Sequence, residues 1–329
     1  MVGDDLPALA LRLLERQPPP GPVIAPELLV SGTLSELIAI LARPQTPAHP
    51  AILASLVLKY AHAYVHPERQ DEDISLTDLT ALAGRFVRRR GGSALLAGQN
   101  TLRRFLLHHG FALQMLLDLP KTVHLLAALL AADPDVSGGF LGLDCGAGTG
   151  ILLLGAYLLA HRHGVAAPTL MGFEVQPQVA ARADGLLSRL GVGRVVQADA
   201  TRPETYAAVP EGPVACLANE TLPSAGRRLY KEPFPAISEA LFAALGPRLS
   251  RTVFLPGAVW ASDRAGREWL RLAPENAFAG DAGGLAKPLR LAFMRDVELA
   301  GQRVPVERVG EGLAWLVAEP WREALCRRW

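Results

Sequence analysis

Residues 141–160 read LGLDCGAGTGILLLGAYLLA, and this stretch decides the fold. It begins with a short apolar run that ends at one acidic residue, Asp144. Glycines then occupy every second position, and an apolar segment typical of a helix begins directly after them. Glycine permits a tight turn and removes the Cβ atom where a ligand lies against the backbone. The stretch therefore predicts a buried strand, a ligand-binding turn and a helix.

The spacing of Gly146, Gly148 and Gly150 distinguishes two classes of nucleotide ligand. A dinucleotide-binding turn has the pattern G-x-G-x-x-G, which requires a glycine where this sequence has Ile151. Such a turn also holds a pyrophosphate, and the carboxylate of Asp144 is unfavourable beside that group. The pattern favours a ligand with a cationic or hydroxyl-bearing group. A nicotinamide dehydrogenase is the weaker alternative.

Strands and helices alternate in the part of the chain that follows residue 134. The segments FLGLD, TLMGFE, RVVQAD and PVACLANE predict strands, and helix-periodic segments follow them. This alternation predicts an α/β fold with a parallel sheet and helices on both faces. Residues 1–134 show apolar spacings of three and four, which predict an all-helical domain. We expect residues 135–329 to form the sheet domain, with strand-like pieces after Leu285 at an antiparallel edge.

Composition excludes several classes of protein. The 329 residues carry a net charge of +1, which predicts no general attraction to nucleic acid or to an anionic membrane. The three cysteines form no CxxC pair, so we expect neither a disulfide framework nor a metal site. No apolar stretch reaches the ~18 residues that span a bilayer. We therefore expect a soluble, cytoplasmic protein.

The segment LDCGAGTG resembles the first motif of class I S-adenosylmethionine-dependent methyltransferases, in which an acidic residue precedes G-x-G-x-G. The resemblance covers about residues 135–260 and implies a Rossmann-like, seven-stranded sheet. It also implies S-adenosylmethionine as cofactor and S-adenosylhomocysteine as product. The helical N-terminal domain would then serve as a lid or as an element of substrate selectivity. The cofactor contacts that the resemblance implies are Asp144, Gly146, Ala147, Gly148, Gly150, Glu174, Val175, Asp199, Ala200 and Asn219.

Three acids stand at the ends of three consecutive predicted strands, where open α/β sheets bind ligands. The resemblance implies that Glu174 binds the ribose, since a carboxylate accepts paired hydrogen bonds from two hydroxyls. It implies that Asp199 lies near the adenine amino group and that Ala200 offers a backbone N–H to the ring. Together with Asp144, these acids predict a cofactor site at one edge of the sheet.

The loop after the fourth strand faces the methyl acceptor in this superfamily. Here it is distantly similar to the loop of protein arginine methyltransferases, in which two glutamates hold a guanidinium group. The similarity implies Glu220 and Glu232 as catalytic residues. They stand further apart than the family's pair, and the family's Thr-His-Trp triplet is missing, which favours another acceptor on a shared loop. The acceptor stays open between a small molecule and a protein side chain. A non-catalytic S-adenosylmethionine-binding scaffold or sensor is the alternative function.

Overall fold

A five-stranded, all-parallel sheet forms the centre of the structure, a computed structural model. Its strands lie in the order β3-β2-β1-β4-β5. They are β1 (Leu141–Cys145), β2 (Thr169–Glu174), β3 (Arg194–Gln197), β4 (Cys216–Ala218) and β5 (Val253–Leu255). The residues that the structure describes are 32–69, 72, 108–113, 115–117, 119–221, 234–255, 259–263, 269–272, 296–299, 302–305 and 313–318.

The strand order reverses at β1, which pairs with β2 on one side and with β4 on the other. Asp144 lies in register with Gly172 of β2 and with Ala218 of β4. Ligands of open parallel sheets bind outside the carboxyl ends of the strands at this kind of switch point. The topology therefore places the end of β1, with Asp144, at the position where a ligand site is expected.

Helices cover both faces of the sheet. They are α1 (Leu34–Leu41), α2 (Pro50–Val65), α3 (Leu119–Leu130), α4 (Ile151–Arg162), α5 (Pro177–Arg189) and α6 (Phe234–Leu245). Short 3₁₀ turns span Pro67–Arg69, Pro203–Ala208 and Gly246–Leu249, and residues 108–113 are also helical. Pro50 and Pro177 each begin a helix, where the missing N–H of proline costs no helical hydrogen bond.

Two hydrophobic clusters lie against the two faces. Helices α1 to α5 share one cluster with sheet residues such as Leu170 and Val195. Helix α6 and the 3₁₀ turns beside it share the other with Leu143, Phe173 and Leu217. A parallel sheet buried on both faces needs nearly continuous apolar strands, and all five residues of β1 are buried. The predicted α/β fold with a parallel sheet and helices on both faces is confirmed.

The described N-terminal helices pack directly onto the sheet domain. Where α3 meets α4, a Cβ atom on Gly155 would lie 2.8 Å from side-chain methyls of both Leu126 and Leu129. The missing side chain lets the two helices approach closely. Because α1 to α3 belong to the same cluster as α4 and α5, the residues on either side of position 134 share one core in the described part. The division into two domains stays a prediction.

The expectation of a seven-stranded sheet is wrong for the described residues. Strands β6 (Val259–Asp263), β7 (Trp269–Leu272) and β10 (Leu313–Ala318) form a separate antiparallel sheet in the order β10-β6-β7. Among the described strands, β8 (Asp296–Leu299) and β9 (Gln302–Pro305) pair with each other. The tail strands satisfy their backbone hydrogen bonds among themselves rather than at the edge of the parallel sheet. In the described ranges, no helix has the length and apolar composition needed to cross a membrane.

Candidate functional site

A cavity of about 420 Å³ opens at the carboxyl ends of the central strands. Its volume lies in the range of small-molecule sites, roughly 300–1,000 Å³. The residues of the glycine turn and of the strand ends that line it are Asp144, Gly146, Ala147, Gly148, Thr149, Phe173, Glu174, Val175, Gln176, Ala198, Asp199, Ala200, Thr201, Glu220 and Thr221.

The glycine turn is tied to the end of β2 by its backbone. The N–H groups of Gly146 and Ala147 both donate to the carbonyl oxygen of Phe173, each at 2.9 Å. The backbone then adopts left-handed φ values of 76°, 53° and 82° at Gly146, Gly148 and Gly150. Residues with a Cβ atom rarely adopt this conformation, so the alternation of glycines follows from the path of the turn.

The three glycines have different surroundings. A Cβ atom on Gly146 would collide with the side chain of Thr221, which follows β4. A Cβ atom on Gly150 would meet Leu187 Cδ1 at 2.6 Å, and Gly150 does not line the cavity. A Cβ atom on Gly148 would meet nothing nearer than the Cβ atom of Ala112, at 3.9 Å. This is an ordinary contact distance, so a side chain at this position would be opposed mainly by the left-handed backbone, and Gly148 itself lines the cavity.

Glu174 connects the end of β2 to the turn. One carboxylate oxygen accepts from the Gly148 N–H at 2.9 Å, and the other accepts from the Gln176 N–H at 2.8 Å. The side chain is buried but borders the cavity. Because a carboxylate oxygen accepts more than one hydrogen bond, both oxygens keep capacity for a ligand hydroxyl.

Asp144 is the buried acid of the site. Its Oδ2 atom has no hydrogen-bond partner among the described residues. The pKa of Asp144 is raised to about 8, chiefly because the carboxyl is buried and further because the charges of Glu174 and Glu220 are close. A positive group in the cavity would favour the ionised form of this carboxyl.

Asp199 lies on the cavity wall, but its carboxylate is engaged within its own loop. One oxygen accepts from the hydroxyl of Thr201 at 2.6 Å and from its N–H at 3.0 Å. The other lies 3.4 Å from the Arg202 guanidinium. The pKa of Asp199 is lowered, mainly by the hydrogen bonds from Thr201. The adjacent Ala200 is buried and also borders the cavity.

The segment after β4 brings one of the two predicted catalytic residues to the site. Glu220 is half-buried, lines the cavity and is close enough to influence Asp144. Asn219 is buried and does not line the cavity, because its side chain bonds with Ser238 at 3.3 Å and with Thr221 at 2.7 Å. Glu232 lies outside the described residues.

One wall of the cavity comes from residues that sequence reasoning missed. The helical segment 108–113 and described residues after it line the cavity together with the glycine turn. Phe111 lies on this wall with 64% of its surface exposed. The predicted cofactor contact Val175, directly after β2, also lines the cavity and is 55% exposed. No local motif marks this wall, because only the fold brings it to the strand ends. Its members are His108, Phe111, Ala112, Met115, Leu116, Thr122 and Leu125.

The described lining of the cavity is acidic. The described residues that line the cavity include four acids and neither lysine nor arginine. Such a lining favours a ligand that carries positive charge, since nearby carboxylates stabilise a cation in a partly desolvated site. No model of a known protein family matches this sequence, and a search of curated proteins finds no similar protein.

Alanine at Gly148 and at Gly150 should have different effects on stability. Gly148→Ala should cost about 1–2 kcal/mol, the cost of a left-handed backbone at a residue with a Cβ atom. Gly150→Ala should cost roughly 1–3 kcal/mol more, because the new methyl overlaps Leu187 in a packed region. Chemical denaturation of both variants measures the difference. Equal losses would show that the two positions are packed alike.

The stability of the protein should depend on pH through Asp144. The folded-state pKa of about 8 lies above the unfolded value near 4, so the folded state binds more protons between these limits. The free energy of unfolding therefore falls as the pH rises from about 4 to about 8. Asp144→Asn removes this loss, so its stability relative to wild type should increase over the same interval. Thermal unfolding across this pH range tests it, and a pH-independent difference would contradict it.

Proposed function

We propose that this protein binds S-adenosylmethionine in the cavity at the carboxyl edge of the sheet and transfers its methyl group to an acceptor beside Glu220. One observation carries the proposal. Asp144, Glu174 and Glu220 line the same cavity as the glycine turn, and this cavity lies where the strand order reverses. The strand order and the turn support a Rossmann-like sheet of the class I methyltransferase type.

The residues of the site fit this cofactor. Bound S-adenosylmethionine supplies an electrophilic methyl group on a positively charged sulfur. Asp144 offers an unpaired, buried acceptor oxygen that a positive group stabilises. Glu174 keeps acceptor capacity for a pair of hydroxyls. Val175 presents an exposed apolar surface beside them, and Gly148 leaves the backbone accessible.

The role of the protein in the transfer is mainly orientation and exclusion of water. Correct placement of two reactants contributes several kcal/mol when the reacting atoms are held about 3–3.5 Å apart. Phe111 and Ala112 supply an apolar wall opposite the turn. Glu220 accepts a hydrogen bond from the N–H or O–H of the acceptor and balances positive charge that develops on a nitrogen.

The position of Glu220 favours an enzyme over a non-catalytic scaffold or sensor. Glu220 lines the cavity close to Asp144, where a carboxylate can orient an acceptor group beside the cofactor. The partial similarity of this loop to protein arginine methyltransferases supports a nitrogen acceptor through Glu220 alone, because Glu232 lies outside the described residues. The acceptor is therefore a small molecule or a protein side chain with such a group.

Binding of the cofactor is the first test. Isothermal titration calorimetry should show binding of S-adenosylmethionine and S-adenosylhomocysteine to the wild-type protein, and none of a nicotinamide dinucleotide. Glu174→Gln should weaken this binding by about 1.5–3 kcal/mol, because it removes a charged acceptor from the site. Glu204→Gln, at an exposed position away from the cavity, is the matched control. Wild-type protein that binds neither sulfur compound would refute the cofactor assignment.

Glu220→Gln should affect turnover more than cofactor binding. The glutamine has nearly the same shape but no charge, so cofactor affinity should stay within a few-fold of wild type. The single-turnover rate should fall about a hundredfold, the usual loss for one positioned electrostatic group. Transfer of labelled methyl groups to fractionated extracts identifies the acceptor first. The exposed Glu211→Gln serves as control, and an unchanged rate in Glu220→Gln would remove Glu220 from the mechanism.

A further inference from the structure

Helix α2 carries two fully buried tyrosines one helical turn apart. Tyr60 and Tyr64 have no exposed surface, and their spacing of four places them on the same side of the helix. The hydroxyl of Tyr60 donates to the carbonyl oxygen of Thr149 at 2.6 Å. The hydroxyl of Tyr64 instead pairs with Nδ1 of His109 at 2.9 Å. One helix therefore contacts both the glycine turn and the opposite wall of the cavity.

Three separate hydrogen bonds orient the peptide groups at the end of the turn. The N–H of Gly148 donates to Glu174, and the N–H of Gly150 donates to the carbonyl of Ala147 at 2.7 Å. The carbonyl of Thr149 is held by Tyr60, which lies 89 positions earlier in the chain. The acceptors of the first two bonds belong to β2 and to the turn itself. The third is supplied by the N-terminal helices.

Helix α4 begins without a side-chain cap, and the bond from Tyr60 is a side-chain contact to the backbone just before it. Gly150 occupies the N-cap position of α4 and makes no side-chain hydrogen bond. A capping side chain would accept hydrogen bonds from N–H groups inside the helix, whereas Tyr60 donates to the carbonyl that precedes it. A Cβ atom on Gly150 would also lie 3.3 Å from the Tyr60 hydroxyl oxygen, so the tyrosine fills the space directly behind the turn.

Helix α2 is itself held firmly, so the Tyr60 hydroxyl has a defined position. The guanidinium of Arg182, on α5, donates to the carbonyls of Tyr64 and Val65 at 2.8 and 2.9 Å. These carbonyls belong to the last turn of α2, where the carbonyl groups have no N–H partner within the helix. Helix α2 also packs against α3. Because α5 directly follows β2, this contact ties α2 to the strand that carries Glu174.

We infer that Tyr60 is a positioning residue for the ligand-binding turn: by holding the carbonyl of Thr149, it keeps the backbone at Gly148 in the conformation that a ligand meets. The ligand assignment rests on the proposed function, but the effect on the backbone does not. The N-terminal helices thus take part in binding through the back of the turn as well as through the wall of the cavity.

The test compares Tyr60→Phe with Tyr64→Phe. Each change removes one hydroxyl from a buried ring on α2, and only the first leaves the Thr149 carbonyl unpaired. Hydrogen exchange of the backbone amides, measured by NMR without ligand, should accelerate about fivefold to tenfold at Gly148 and Gly150 in Tyr60→Phe. In Tyr64→Phe these amides should exchange at the wild-type rate after correction for global stability.

S-adenosylmethionine binding supplies the second measurement. The dissociation constant of Tyr60→Phe should rise about fivefold to tenfold over wild type. Equal exchange at the turn in both variants would overturn the inference and reduce Tyr60 to a packing residue. If wild-type protein does not bind the cofactor, the proposed function fails, while the exchange data still decide the role of Tyr60. If Tyr60→Phe does not fold, hydrogen exchange of the wild-type protein decides. Exchange of the Gly148 and Gly150 amides only through global unfolding would support the inference. Exchange of these amides through local opening, without global unfolding, would contradict it.

Discussion

The hydrogen bonds between the glycine turn and the end of β2 are the constraint on which the site depends. The N–H groups of Gly146 and Ala147 both donate to the Phe173 carbonyl, and the N–H of Gly148 donates to the Glu174 carboxylate. This pattern bends the backbone into left-handed conformations that only glycine adopts readily. Helix α4 begins directly after this turn, and Asp144, two residues before Gly146, is buried.

The burial of several carboxylates at one edge of the sheet has an energetic cost. Burial raises the pKa of Asp144, and the nearby charges of Glu174 and Glu220 raise it further, which favours its protonated form. A site selected for stability alone would hold an amide or an apolar residue at Asp144, since an unpaired buried acid is unfavourable. Under the proposed function, the positive charge of the bound cofactor would offset the repulsion among these acids. In this proposal, the buried carboxyl of Asp144 lowers the stability of the free protein and raises its affinity for a positively charged ligand.

The N-terminal helices complete the site in two ways. The segment 108–113 and the residues after it supply the apolar wall that faces the acids, with Phe111 at an exposed position on it. Helix α2 supports the turn from behind through Tyr60 and is anchored to α5 through Arg182. Because these helices share a hydrophobic cluster with α4 and α5, changes in their packing would be transmitted to the turn.

The sequence by itself determined the parallel sheet, its helices and the turn, because apolar periodicity and left-handed glycines are local properties of the chain. It also placed Asp144, Glu174, Asp199 and Glu220 at one edge, since the ends of parallel strands meet there. Only the tertiary structure decided how the tail strands pair, that Asn219 turns away from the cavity, and which helical residues form the opposite wall. Those outcomes depend on contacts between segments far apart in the chain, and local patterns carry no information about which distant surfaces will meet.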